Sequence, residues 1–437
     1  MASTSLHHFL DTVADAGLAL IRRRAASRTS SPAEMARLCH DLLSSRGEAL
    51  GVTLARLIVE AYSTMDESQK HEFFGEQHSR YHVDRTRNLA CARTYQKAGD
   101  DESLAALQSA VESPRQELFR RINMAPDGTR MLIAMREDIL KSVASTPELT
   151  PVDDDLAHLL SSWFNRGFLV LRRIDWNTPA SILEKIISYE SVHTMTGWDD
   201  LRGRLAEDCR CFAFFHAALP DDPLIFVEVA LVDGLSSSIR PLIDHNRPTI
   251  CANKADTATF YSINNCQYGL RGISFGNFLI KQVVLELQRE FPNLKTFATL
   301  SPIPLFRRWL SDLLAEPDSG LITNSERNLL EGLDTPAWNH DESDLKPLLL
   351  RLAAFYLLEV KQGKFPHDPV ARFHLRNGAR LARINWKGDV SENGFAQSAG
   401  MLVNYIYDPR AIEKNHEDYV ANRNVAVTPS VRRLARI

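Results

Sequence analysis

The stretch from Thr257 to Pro304 limits the possible folds more than any other part of this chain. Its β-branched and aromatic run Ala258 to Ile263 predicts a strand that ends near Asn264. A loop carrying Gly269, Gly272 and Gly276 follows. Next comes a helix with Leu279, Val283 and Leu287 on one stripe and Ile280 and Val284 beside it. Leu294 to Leu300 reads as a second strand, stopped by Pro302 and Pro304. Strand, helix and strand at this spacing imply a right-handed crossover between parallel neighbours. The glycine loop and Ser301 then fall at strand carboxyl ends on one edge of a sheet, where open α/β sheets bind ligands.

A glycine loop that opens a helix is suited to phosphate, because backbone N–H groups and the helix N-terminus face the anion. Glycine removes the Cβ that would hold the backbone away from it. Neither GxxxxGK[ST] nor GxGxxG occurs here, which excludes the common nucleotide fingerprints. From Gln267 onward the loop resembles the Q/R-x-x-G-x-G/A type of GNAT acyltransferases, which holds the pyrophosphate of CoA. The same residues contain GxSxG, Gly272-Ile-Ser274-Phe-Gly276, the nucleophile elbow of α/β-hydrolases. That elbow needs a strand running directly into the serine, and the strand ends about ten residues too early. Ser301 before a proline reads equally as a turn or helix-cap residue. His374, between Phe373 and Leu375, is balanced between structural and functional roles, and Tyr407 reads as strand packing or as a phenol near a site.

Composition narrows the partners. A chain of 437 residues with 44% apolar and 24% charged residues is an ordinary globular protein of two-domain size. A net charge of -4 gives no reason to expect nucleic acid. No apolar run approaches the roughly 20 residues of a membrane span. Six cysteines without scaffold or CxxC spacing fit a reduced, cytoplasmic setting. His78 and His82, spaced i, i+4, read as a solvated helix face rather than a metal site. Residues 1 to about 145 read as helices, with stripes Leu38, Leu42, Leu43 and Met131, Met135, Ile139; Glu34 to Ile58 and Gly128 to Val143 are the clearest segments. Two prolines and an acidic run between Ser145 and Asp155 predict a linker or domain boundary. Beyond it, strand-like runs at Phe168 to Ile174, Arg210 to Phe215 and Leu224 to Leu231 alternate with helical ones.

At these residues the chain resembles the malonyl-CoA decarboxylase family, and closely. The resemblance is carried by Gly276-Asn-Phe-Leu-Ile-Lys281, Glu286 to Pro292, Leu300-Ser-Pro-Ile-Pro304, Phe373-His-Leu-Arg-Asn-Gly-Ala379 and Arg383-Ile-Asn-Trp386 through Asn404-Tyr405. Similar pieces at Asp127 to Leu140 and Trp163 to Leu169 extend it over most of the chain. It implies an α+β protein: an all-α helical bundle over 1–145 that makes homo-oligomer contacts, as dimer or tetramer, and a GNAT-like mixed α/β catalytic domain over 146–437. It also implies conversion of malonyl-CoA to acetyl-CoA and CO2 without metal or organic cofactor. In that mechanism Ser301 is proton acceptor and malonyl anchor, His374 is proton donor, and Tyr407 lies near the histidine. Arg271, Gly272, Ile273, Ser274, Phe275, Gly276 and Asn277 match the family's malonyl-CoA-binding loop. Two positions depart from the family pattern: Ser274 stands where an acidic residue is frequent, and Leu305 where glycine is. An acyltransferase moving acetyl from CoA to an amine and a non-catalytic CoA sensor are the rival readings.

Overall fold

The computed structural model describes residues 31–45, 47–273, 279–316, 320–334 and 342–436. It divides into two compact units, one of residues 1–170, 215–224 and 266–275, the other of 171–214, 225–265 and 276–437.

The first unit is helical: α1 (Pro32–Ser44), α2 (Glu48–Ser63), α3 (Glu67–Arg80), α4 (Arg85–Ala98), α5 (Asp101–Val111), α6 (Pro114–Ile122), α7 (Gly128–Ser142) and α8 (Thr150–Trp163). Local chemistry sets their starts. Ser31 caps α1 ahead of Pro32, and Asp66 with Gln69 forms a capping box on α3. Leu38, Leu42, Met135 and Ile139 lie in one buried cluster with Ile58, Phe74 and Leu118, while Leu43 and Met131 pack against it half-buried. The periodic segment Glu34 to Ile58 is two helices, because Ser45 turns extended after α1. His82 lies past the end of α3, with its Nδ1 2.8 Å from the Val83 carbonyl, so it shares no helix face with His78.

The expected linker is also helical. Pro147–Leu149 is a 3₁₀ turn, and Pro151 occupies the first turn of α8, where its missing N–H costs nothing. The acidic run serves two buried cations. Asp153 accepts from Arg136 Nε at 2.8 Å, and Asp155 accepts from Arg115 Nε at 2.8 Å. A guanidinium out of water needs such a partner, so charges that look like solvated linker in the sequence are structural.

The second unit is built on an eight-stranded mixed sheet. Its strands are β1 (Leu169–Ile174), β2 (Cys209–His216), β3 (Ile225–Val232), β4 (Thr257–Asn265), β5 (Thr296–Thr299), β6 (Ser301–Pro302), β9 (Arg380–Asn385) and β10 (Leu402–Ile406). The short pair β7 (Lys361–Gln362) and β8 (Phe365–Pro366) forms a separate ribbon. The order is β1-β2-β3-β4-β5-β10-β6, with β9 on β10. All five expected strand runs are strands. β2 and β3 are buried over almost their whole length, consistent with apolar sequences broken only by Arg210 and the terminal His216 in β2 and by Glu228 in β3. β4 and β5 are parallel neighbours, in register from Thr257↔Thr296 to Phe260↔Thr299. They are joined through α9 (Leu279–Glu290), which buries the expected stripe residues Leu279, Ile280, Val283, Val284 and Leu287. Both strands therefore end at the same sheet edge. Among the described residues no helix is long and apolar enough to cross a membrane.

Candidate active site

Ser301 sits where the chain changes strand partners. Leu300 N–H still donates to the Phe260 carbonyl of β4 at 2.8 Å; one residue later Ser301 pairs with Val403 of β10. Pro302 and Pro304 supply no N–H to continue a ladder, and the chain turns into the helix Phe306–Ala315. Leu305 caps that helix at φ −106°, so a side chain stands there without backbone strain.

His374 is carried by α10 (Pro369–Arg376), whose start and stop are both written locally. Asp368 is the N-cap, its carboxylate accepting from Ala371 N–H at 2.8 Å, with Pro369 in the first turn. The stop is a Schellman motif: Ala379 N–H donates to the His374 carbonyl and Gly378 N–H to that of Leu375, with Gly378 at φ +80°. A Cβ on Gly378 would meet the Ile412 carbonyl oxygen at 2.2 Å. The Asn-Gly after the histidine thus fixes where the last helical turn holds the ring.

The two segments meet. Ser301 Oγ lies 2.9 Å from His374 Nε2, and His374 Nδ1 lies 2.8 Å from Tyr407 Oη. Ser301 Oγ also donates to Thr299 Oγ1 at 2.9 Å. The Tyr405 ring stacks on the imidazole with centroids 4.6 Å apart, and Phe373 meets its edge. His374, Tyr405 and Tyr407 are all buried. The last turn of a helix favours a cation by about 1 kcal/mol. Desolvation outweighs that, and burial pushes the imidazole down to about 3, so it is neutral in the free protein. Burial likewise holds the Tyr407 phenol well above its ordinary value.

A second polar layer supports the pair from β9 and β10. Asn404 is fully buried; its Nδ2 donates to the Thr299 carbonyl at 2.7 Å, and its Oδ1 accepts from Arg383 Nε and Asn385 Nδ2 at 3.0 and 2.8 Å. The motif residues Arg383, Asn385 and Asn404 therefore lock the strand that precedes Ser301.

The glycine loop is described only in part. Ser274, Phe275, Gly276 and Asn277 lie outside the described residues. Gly269, Arg271, Gly272 and Ile273 belong to the helical unit. Arg136 Nη1 of that unit donates to the carbonyls of Gly269 and Arg271 at 2.7 and 2.9 Å. Gly269 is glycine because a Cβ there would lie 2.0 Å from the Ile133 carbonyl oxygen, a packing reason and not an anion-binding one. Gly272, at φ +82° with open space around it, is the position that needs glycine for its backbone. β4 ends at Asn265, and a 3₁₀ turn at Tyr268–Leu270 follows, so no strand runs into Ser274 as a nucleophile elbow requires.

Three residues around the pair are not singled out as site residues by the sequence. Thr299 had a usable signal, since residues two apart on a strand share a face. Asp368 before Pro369 carried a helix-start signal. Tyr405 lies in the family-like segment Asn404-Tyr405, but nothing in the sequence marked its ring as the one stacked on the imidazole.

Tyr407→Phe removes the only polar atom facing His374 Nδ1 among the described residues. A lost buried hydrogen bond of this kind corresponds to about tenfold to a hundredfold in kcat, with KM little changed. Steady-state kinetics on the variant checks it; an unchanged kcat removes Tyr407 from the site.

Residues 167–437 match the malonyl-CoA decarboxylase C-terminal domain model and residues 81–164 the malonyl-CoA decarboxylase N-terminal domain model. A relative from Anser anser anser, named malonyl-CoA decarboxylase, mitochondrial, is 38% identical over 347 residues, 73% of this chain and 69% of its own. The protein of the same name from Rattus norvegicus is 36% identical over 352 residues, 74% of this chain and 72% of its own. The crystal structure of malonyl-CoA decarboxylase from Rhodopseudomonas palustris superposes with a TM-score of 0.89 at 51% identity, covering 92% of this chain and 99% of that one. The one from Agrobacterium vitis gives 0.87 at 48% identity, covering 92% and 100%. With one family model spanning most of the sheet-bearing part and relatives matched along most of their length, the chain belongs to the malonyl-CoA decarboxylase family.

Proposed function

We propose that this chain is a carboxy-lyase that converts malonyl-CoA to acetyl-CoA and CO2, with Ser301 and His374 as the groups at the reacting atoms. The observation that carries the roles is the 2.9 Å contact between Ser301 Oγ and His374 Nε2 inside a desolvated aromatic setting. In the reaction the bond between C2 and the carboxylate carbon breaks, its electron pair enters the thioester as an enolate, and CO2 leaves. Ser301 anchors the malonyl group and is the proton acceptor of the pair; His374 is the donor that protonates C2, and one proton taken up from water per turnover restores the imidazole. A buried setting favours loss of the carboxylate, which is better solvated in water than beside the buried Tyr405 ring. Arg271 through Asn277 form the malonyl-CoA-binding loop, a reading supported by the left-handed Gly272 and by the Arg136 clamp on the loop carbonyls.

The division into a helical domain over 1–145 and a catalytic domain over 146–437 belongs to the same proposal. So does homo-oligomer formation through the helical part, which is supported by α4, a helix with no buried residue and with Leu89 half exposed. A cytoplasmic location is supported by six cysteines, none of them in a disulfide, although two of the relatives are named as mitochondrial.

One assay tests the function. Purified protein is given malonyl-CoA alone, and CO2, acetyl-CoA and free thiol are measured. CO2 and acetyl-CoA in equal amounts are expected. A requirement for an amine acceptor would mark an acyltransferase, thiol release a hydrolase, and saturable binding without product a sensor.

A further inference from the structure

We infer that Thr299 is a positioning residue that sets the direction of the hydrogen bond between Ser301 and His374, and so keeps the imidazole as the proton donor of the pair. The inference rests on the catalytic reading above.

The argument is one of donor counting. A serine hydroxyl has one proton and two lone pairs. Ser301 Oγ has two partners at the same distance, Thr299 Oγ1 and His374 Nε2, both at 2.9 Å. Thr299 and Ser301 are two residues apart in an extended segment, so their side chains share a face. Thr299 is fully buried, and its Oγ1 is already an acceptor for Tyr405 N–H at 3.2 Å. Its carbonyl is held by Asn404 Nδ2 at 2.7 Å, so the residue is fixed from both its backbone and its side chain.

Ser301 spends its proton on Thr299, and only lone pairs then face the imidazole. Nε2 must carry the hydrogen. Nδ1 is thereby the acceptor, and Tyr407 O–H is its donor. One directed chain results: Tyr407 to His374, His374 to Ser301, Ser301 to Thr299. Without Thr299 Oγ1 the nearest acceptor for the Ser301 proton is Nε2 itself. That reversed arrangement, with serine donating to an imidazole base, activates a serine as nucleophile. A nucleophilic Ser301 attacks the thioester carbon, its proton passes to His374 and on to the departing CoA thiolate, and water then cleaves the acyl-serine. Thr299 therefore separates a proton-donating pair from a thioester-cleaving one.

The test uses full-length enzyme with nitrogen-15 histidine, as wild type, Thr299→Val and Thr299→Ser. Imidazole nitrogen shifts report the His374 tautomer, assigned with His374→Gln, and malonyl-CoA turnover is followed through CO2 and free thiol. The wild type and Thr299→Ser are expected to hold the Nε2–H tautomer with closely similar kcat. Thr299→Val is expected to move toward Nδ1–H and to lose about tenfold to a hundredfold in kcat at nearly constant KM. Free thiol should rise relative to CO2 in that variant. A wild-type Nδ1–H tautomer overturns the inference without any mutant, which covers the case in which Thr299→Val fails to fold. Unchanged turnover in Thr299→Val also overturns it. Ser301→Ala and His374→Ala run in parallel separate the two claims: normal turnover in either defeats the catalytic reading itself, whereas loss in both with a normal Thr299→Val defeats only the role of Thr299.

Discussion

His374→Ala is expected to lower kcat for malonyl-CoA by about 10²–10⁴-fold, the range that one positioned proton-transfer group contributes. Ser301→Ala should fall in the same range, because each residue is the other's partner at 2.9 Å. Groups that act as a unit do not add, so the double variant should be little worse than either single one. CoA affinity should survive in all three, since the binding loop is a separate segment. Turnover near the wild-type level in either single variant would defeat the assignment.

The histidine variant carries a second readout that needs no substrate. Burial lowers the His374 pKa from about 6.5 to about 3, so its folded value lies below its unfolded one. Between those values the unfolded chain binds a proton that the folded protein refuses. His374 therefore contributes stability that is present above pH 6.5 and is lost as the pH falls toward 3. One such group amounts to about 1.4 kcal/mol per pH unit in that window. His374→Gln should remove that slope. Denaturant melts of the variant and the wild type at pH 6.5 and 4.5 would decide it: the gap between them should narrow in acid.

Much of the fold was legible, and the reasons differ from place to place. The five strand runs were readable because β-branched and aromatic residues gather in them, as in β4 and β3. The β4–α9–β5 unit followed from strand and helix periods alone, and the parallel register bears it out. β9 and β10 were harder, because Arg383, Asn385 and Asn404 place a hydrogen-bonded polar network where apolar alternation is expected. The acidic run before Asp155 misled for a related reason. Its partners Arg115 and Arg136 are distant in sequence, and without them the charges read as solvated. At the site, spacing brought Ser301 to the right sheet edge but gave no sign of His374, whose helix is over 60 residues further on. Only the motif resemblance supplied it. The orientation of the pair depends on Thr299 and Tyr407, and hydrogen-bond direction is a property of three-dimensional neighbours that no spacing rule encodes.

Asp368→Ala should be the most damaging change to stability near the site that removes no reacting group. The carboxylate is fully buried and accepts from Ala371 N–H at 2.8 Å at the start of the His374 helix. The N–H groups of Val370 and Leu305 face the same carboxylate, and Leu305 begins the helix that follows Ser301. One side chain thus ties the segment bearing the serine to the helix bearing the histidine. Alanine removes a helix cap, about 1 kcal/mol, and leaves buried N–H groups without an acceptor, about 1–3 kcal/mol more. A loss of about 3 kcal/mol in a denaturant melt and a parallel fall in kcat are expected; a variant with wild-type stability and kcat would show that the tie is dispensable. Asp368→Asn retains an acceptor oxygen and should keep most of both. The comparison of Asn with the native residue also has a pH signature. Burial pushes Asp368 up to about 6, above its unfolded value, so its favourable contribution is complete below pH 3.8 and is lost as the pH rises through 6. Asparagine carries no such loss. The stability of Asp368→Asn relative to the wild type should therefore improve from pH 5 to pH 7, and an unchanged difference across that range would mean that Asp368 is already ionised below it.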